Sequence, residues 1–272
     1  MKFYGLRLAY RLSAKVNRTL YRKLLNVDGT WVISESRSIH LHPYIQEALA
    51  LAAKDIGIPS LGQEDLTPGR LESLFSKYRS DKETIHSYEP VYSEILSQTS
   101  EPRILEIGLG SVNNNSNPFL PNRYRFAGSP GGSINAWREA FPNAIIVGAD
   151  IDEEAVASIE GIGFGFVVDQ NRDQSLDKFV QRAKEYGPYN LIVDDGLHEP
   201  NANLRTLKHL FPLLANDGSY VIEDVHESLI DFWKVISPTL DASLEVRDLR
   251  SQRPGCEDNV LIIFSKRSKV EN

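Results

Sequence analysis

Two acid pairs carry the most chemistry in this sequence: Asp194-Asp195 in "LIVDDGLHEP" and Glu223-Asp224 in "SYVIEDV". Each ends a run of branched and aromatic apolar residues that reads as a buried strand. Crowded carboxylates are costly unless hydrogen bonds, water or a cation compensates them. If the two strands are neighbours, about 4.8 Å apart, up to four carboxylates converge on one rim. A hard divalent cation with oxygen ligands, magnesium or calcium, is the natural compensation. Adjacent strand residues point to opposite faces, so Glu223 and Asp224 share an ion only if the chain turns there. Of the first pair, Asp195 is the expected ion ligand, while Asp194 faces a cofactor or supports the loop. Gly196 allows a tight turn that swings His198 back to the rim, and Pro200 suits the first turn of a helix. His198 can then act as a general base near neutral pH. As a zinc ligand it lacks nearby cysteine or histidine support, and as a loop cap it would do no chemistry. His40, His42, His86, His209 and His226 show no metal-ligand spacing, although His226 follows the second acid pair closely.

Upstream, "LEIGLGS" sets Glu106, Gly108 and Gly110 in an E-x-G-x-G spacing at the end of another strand. Glycine there lets backbone approach a ligand closely. The dinucleotide fingerprint would need a glycine where Asn113 stands, and the next helix is too distant to cradle a pyrophosphate. A second strand ends in "VGADID", where Asp150 could accept hydrogen bonds from ribose hydroxyls. A third ends in "VVDQ", where Asp169 could meet an adenine amino group. Alternatively, Asp150 and Asp152 simply begin the next helix, where acids favour the dipole. Three strand-end acids without a phosphate loop suit a nucleoside with a positive centre better than a polyanionic nucleotide.

From Arg103 onward, short β-rich runs alternate with helical stretches, which argues a parallel sheet covered by helices on both faces. Helical stretches include "PNANLRTLKHLFPLLA". The last two runs, "ASLEVRDL" and "NVLIIFS", have no credible helix between them and read as an antiparallel pair closing one edge. Such sheets bind ligands at the carboxyl ends of their strands. The expected organisation is a helical extension over residues 1–70 followed by an α/β domain over 71–272.

Residues 1–25 hold seven Lys/Arg and no acid, while the whole chain is at −7. A basic arm on an acidic body could be an amphipathic helix on an anionic membrane surface, or a helix packing on the body or a sister subunit. Nucleic-acid binding is not supported, because the body is acidic and no aromatic-basic RNA signature is present. One cysteine, Cys256, excludes an internal disulfide and a cysteine-rich zinc site, and fits a cytoplasmic location. No apolar run approaches the roughly 20 residues of a membrane span.

Together "SDKETIHSYEPVY", "LEIGLG", "GGSINAWREAFPNAIIVGADID", "VVDQ", "LIVDDGLH" and "SYVIEDV" resemble class I S-adenosylmethionine-dependent methyltransferases. The resemblance is specifically to magnesium-dependent O-methyltransferases that tailor macrolide and related natural-product sugars. Its most specific part is "DDG-x-H" followed 28 positions later by "ED". It implies a Rossmann-like, doubly wound, mostly parallel seven-stranded sheet. It further implies Asp195, Glu223 and Asp224 as magnesium ligands and His198 as base. Glu106, Gly108, Gly110, Asp150, Asp169, Gln170 and Asp194 are the expected cofactor set. Ser80 and Lys82 join them as cofactor contacts, and Asp81 and Tyr88 as cofactor or substrate contacts. The acceptor implied is a sugar hydroxyl on a small molecule or glycan, and a homo-oligomer is expected. Two alternatives stay open: a catechol-type phenol as acceptor, and a non-catalytic cofactor-binding scaffold at a membrane. The long polar loop from Ser111 to Gly132 and the basic arm depart from the motif set, and both lie where acceptor choice or assembly would be decided.

Overall fold

The computed structural model describes residues 69–110 and 130–267. The expected extension over 1–70, with its basic arm and membrane contact, and nearly all of the 111–132 loop lie outside the described residues. Three helices come first: α1 (Arg70–Lys77), α2 (Asp81–Thr84) and α3 (Glu89–Leu96). Then β1 (Arg103–Ile107), β2 (Ile145–Asp150), β3 (Phe164–Val167), β4 (Tyr189–Asp194) and β5 (Leu214–Ile222) alternate with helices. Those helices are α4 (Gly132–Ala140), α5 (Glu153–Ser158), α6 (Asp173–Ala183) and α7 (Pro200–Leu210). Helix α8 (Ile230–Ile236) leads to β6 (Ala242–Asp248) and β7 (Val260–Lys266).

The seven strands lie in the order β3-β2-β1-β4-β5-β7-β6, parallel through β5. Strand β7 runs antiparallel to both β5 and β6, so the expected closing pair is present. The strands' alternation divides the core into two layers. Ile104, Leu191, Val193 and Val221 pack with Leu71, Phe75, Tyr92 and Trp137 from α1, α3 and α4. Leu105, Ile192, Tyr220 and Ile222 pack on the other face with Phe179, Leu207 and Trp233 from α6, α7 and α8. Phe75 and Tyr92 both meet Trp137 edge-on, with ring centroids at 4.9 and 5.3 Å. Aromatic anchoring of this kind costs about 3–5 kcal/mol to truncate to alanine, so helices α1 and α3 are integral to the sheet's first layer.

One boundary differs from expectation. The helix read through Ala215 ends at Leu210, a 3₁₀ turn takes Phe211–Leu213, and β5 begins at Leu214. Pro212 lacks an N–H and cannot continue the helix. The order in which successive strands are laid down reverses between the parallel neighbours β1 and β4, the kind of switch point at which such sheets bind ligands.

Candidate active site

Registers bring the two acid pairs together. Asp194 pairs with Ile107 of β1 on one side and Ile222 of β5 on the other. The Glu223 amide then donates to the Asp194 carbonyl at 3.1 Å, and the Asp195 amide to that of Ile107 at 2.8 Å. Gly108, at φ 93°, sits so close to the Asp195 carbonyl that a β-carbon there would lie 1.8 Å from its oxygen. Its glycine therefore serves the approach of the β4 loop. The turn that the second acid pair required is present: Asp224 adopts φ 55°, and His198 adopts φ 54° after the Gly196 turn. Non-glycine residues in this region carry strain of order 1–3 kcal/mol. Two such residues on one rim single out the site.

Ligand atoms of Asp195, His198 and Asp224 lie within 4.8 Å of one another. His198 Nε2 is 3.8 Å from Asp195 Oδ1, and the imidazole is 37% exposed. The Tyr88 hydroxyl donates to Asp224 Oδ1 at 2.8 Å, and His86 Nε2 stands 3.2 Å from the same oxygen. Burial pushes Asp195 up to about 7, against the pull of Lys82. Burial also opposes ionisation of Asp224, yet His86, His198 and Tyr88 hold its carboxyl below the usual range. Loss of water lowers His198, but the Asp224 and Asp195 charges outweigh it and raise the imidazole above its ordinary value. Two carboxylates beside an imidazole, open to solvent at the His198 edge, fit a hard divalent cation.

Behind this rim lies a second charge cluster that sequence reading did not foresee. Lys82, fully buried on α2, places its Nζ 2.6 Å from Asp195 Oδ2, 2.8 Å from Glu223 Oε2 and 3.2 Å from Glu106 Oε1. Dehydration works against the ammonium, but Asp195, Glu106 and Glu223 hold its pKa well above the ordinary value. The Tyr92 hydroxyl donates to Glu223 as well. Glu223, expected on the ion, thus uses its carboxylate inward, on Lys82 and Tyr92.

Several expected cofactor contacts are committed elsewhere. Lys82 itself is inaccessible to a ligand. Glu106 is fully buried, accepting from Ser133 Oγ at 2.6 Å and Trp137 Nε1 at 2.8 Å. Asp194 is also fully buried, accepting from Gln170 at 2.7 Å and the Tyr220 hydroxyl at 3.1 Å. It therefore supports the loop rather than facing a cofactor. Gln170 donates to Asp194 and Thr206 and accepts from the Leu197 amide, leaving it the strut of the β4 loop. Gly196 is required there, since a β-carbon would lie 2.1 Å from Gln170 Oε1. Ser80 caps α2, its side chain accepting from the Lys82 amide.

What remains open at the strand ends is a shorter set. Asp150 accepts from the Leu109 amide at 2.7 Å and the Asp152 amide at 2.9 Å, which ties β1's loop to β2. Asp152 caps α5. Asp169 accepts from the Asn171 amide and pairs with Arg172 at 3.0 Å. Gly110, at φ 79°, would bring a β-carbon into ordinary contact with the Pro130 Cα at 3.8 Å. Ile151 is 66% exposed beside Asp150, an apolar side chain left open just past the end of β2.

No family model matches the chain. Among curated proteins it is 33% identical over 192 residues to the L-olivosyl-oleandolide 3-O-methyltransferase of Streptomyces antibioticus, covering 68% of this chain and 45% of that protein. It is 30% identical over 168 residues to the 8-demethyl-8-(2-methoxy-alpha-L-rhamnosyl)-tetracenomycin-C 3'-O-methyltransferase of Streptomyces olivaceus, covering 58% of this chain and 37% of that one. The chain thus spans less than half the length of these relatives. Among solved structures, a methyltransferase of the mycinamycin pathway, in complex with Mg, SAH and mycinamycin VI, aligns with a TM-score of 0.53 at 24% identity. That alignment covers 82% of this chain and 64% of the other. Sheet order and these similarities agree: the chain has the class I methyltransferase fold and is similar in sequence to natural-product sugar O-methyltransferases.

Proposed function

We propose that this chain is a magnesium-dependent O-methyltransferase that moves the methyl group of S-adenosylmethionine to a sugar hydroxyl of a glycosylated small molecule. The observation that carries the reading is the convergence of Asp195, His198 and Asp224 within 4.8 Å at the crevice. The named activities of the sequence relatives and the Mg and SAH bound in structural neighbours support it.

Asp195 and Asp224 are the residues that would hold the ion. Glu223, the third expected ligand, would reach it only by exchanging Lys82 for the metal. When bound, magnesium lowers the acidity gap between a sugar hydroxyl, near the roughly 15.7 of water, and a histidine near about 6.5. S-adenosylmethionine would supply an activated methyl on sulfonium; Asp150 and Gly110 are the residues that would meet its ribose and chain, and Ile151 its base. His198 Nε2 accepts the hydroxyl proton as that oxygen attacks the methyl carbon. In that exchange a carbon–oxygen bond would replace the carbon–sulfur bond, the electron pair leaving on sulfur. The Asp195 and Asp224 charges retain a proton on His198, so neutralising them frees the base. Tyr88 and His86 keep Asp224 in place for this role.

A methyl-transfer assay over glycosides, nucleotide sugars and catechols tests the proposal. Methylation of a glycoside that stops with EDTA and returns with magnesium is expected. Transfer to catechols alone, or activity unchanged in excess EDTA, overturns it.

A further inference from the structure

We propose that His86, Cys256 and Asp258 form a second metal site, separate from the acidic rim, that takes a borderline-soft divalent cation of the zinc class. The three residues are remote in sequence, His86 and Cys256 being 170 positions apart. His86 lies between α2 and α3, and the other two lie in the loop before β7. In space, His86 Nδ1 is 3.5 Å from Cys256 Sγ, and Cys256 Sγ is 3.2 Å from Asp258 Oδ1. All three ligand atoms lie within 4.8 Å of one another.

Tetrahedral zinc places sulfur at about 2.3 Å and nitrogen or oxygen at about 2.0–2.2 Å, which makes the edges between ligand atoms roughly 3.3–3.6 Å. The two spacings to Cys256 Sγ, 3.5 and 3.2 Å, match those edges to within a few tenths of an ångström, and the third lies within 4.8 Å. Ligand chemistry sorts the two sites: thiolate with imidazole selects zinc over magnesium, whereas the carboxylate rim selects the hard ion. His86 is fully buried and Cys256 nearly so, which shields the thiolate, while half-buried Asp258 leaves a fourth position for water.

A separate observation concerns the far side of the imidazole. His86 Nε2 stands 3.2 Å from Asp224 Oδ1, the position of an outer carboxylate that orients a metal-bound histidine. Tyr88 stacks on the ring at 4.7 Å and fixes its plane. Zinc on Nδ1 would set the ring's direction and, through it, the placement of Asp224. Binding converts the Cys256 thiol to thiolate and releases its proton to solvent.

The loop carrying Cys256 is anchored without the metal. Arg253 donates to Ser87 Oγ at 2.9 Å and to the Glu83 carbonyl at 2.7 Å, so variants at the site retain these ties. The site is independent of the methyl-transfer reading, and its test reads binding alone. The full chain, stripped with EDTA and exchanged into excess magnesium to fill the rim, is titrated with cobalt(II) and then zinc. One equivalent of cobalt should produce a near-ultraviolet thiolate charge-transfer band that zinc abolishes. Cys256→Ser should lose the band and weaken zinc binding at least about tenfold. Asp258→Asn keeps the thiol and should retain the band with similarly weakened zinc affinity; it also serves if the serine variant fails to fold. A wild-type protein without the band, or zinc affinity unchanged in both variants, overturns the proposal and moves any bound zinc to the rim.

Discussion

Asp195 belongs to two charge clusters, and the contrast between them is instructive. On its inner side Oδ2 meets Lys82, whose ammonium also serves Glu223 and Glu106 in a region closed to solvent. On its outer side Oδ1 faces His198, and the neighbouring Asp224 is met by His86 and the Tyr88 hydroxyl, so the described residues around this rim offer imidazoles rather than an ammonium. The inner cluster is compensated by the chain itself and acts as scaffold. The outer one keeps negative charge available, which is what a site for an added cation requires. Burial alone does not distinguish function here; the kind of internal counter-charge does, a permanent ammonium within and titratable imidazoles at the rim.

This contrast can be broken from either side. The largest effect is expected at the rim: His198→Asn, which tolerates a left-handed backbone, should lower turnover by about 10²–10⁴-fold with S-adenosylmethionine affinity and melting temperature nearly unchanged. A large fall in stability instead would make His198 part of the scaffold. Next comes Lys82→Met, which strands buried carboxylates and should cost about 3–5 kcal/mol in denaturant unfolding. A stable Lys82→Met protein would show that the inner cluster is not compensated by the lysine. Gln170→Ala removes the strut of the β4 loop and should cost about 1–3 kcal/mol, with turnover falling because the His198 turn loosens. Smallest is Lys77→Ala, which breaks an exposed pair with Glu139; no measurable change in melting temperature is expected.

The rim was legible because its information is local. Acids directly after apolar strands, a glycine two positions before the histidine, and a proline opening the next helix together state a strand, a turn and a helix start. Sheet type and the antiparallel closing pair were readable for the same reason. Lys82 was not readable as a counter-charge, since it lies 113 positions from Asp195 and only tertiary packing of α2 beneath the crevice brings them together. His86 and Cys256 escaped for the same cause: ligand spacing along the chain says nothing of ligands joined across a fold. Asp194 and Glu106, both buried on hydrogen-bond partners, show the limit in the other direction. A strand-end acid looks the same in sequence whether it faces a ligand or the neighbouring helix.

Strand β7 has a consequence for how the molecule is assembled. It is the last strand in chain order among the described residues, yet it lies inside the sheet between β5 and β6. As the polypeptide leaves the ribosome, β6 has no partner to pair with and the edge of β5 stays open until residues 260–266 emerge. Sheet completion therefore waits on a late segment whose contacts reach far back along the chain, a slow topology to close. Until then the unpaired edge of β5 is a surface on which another nascent chain could add.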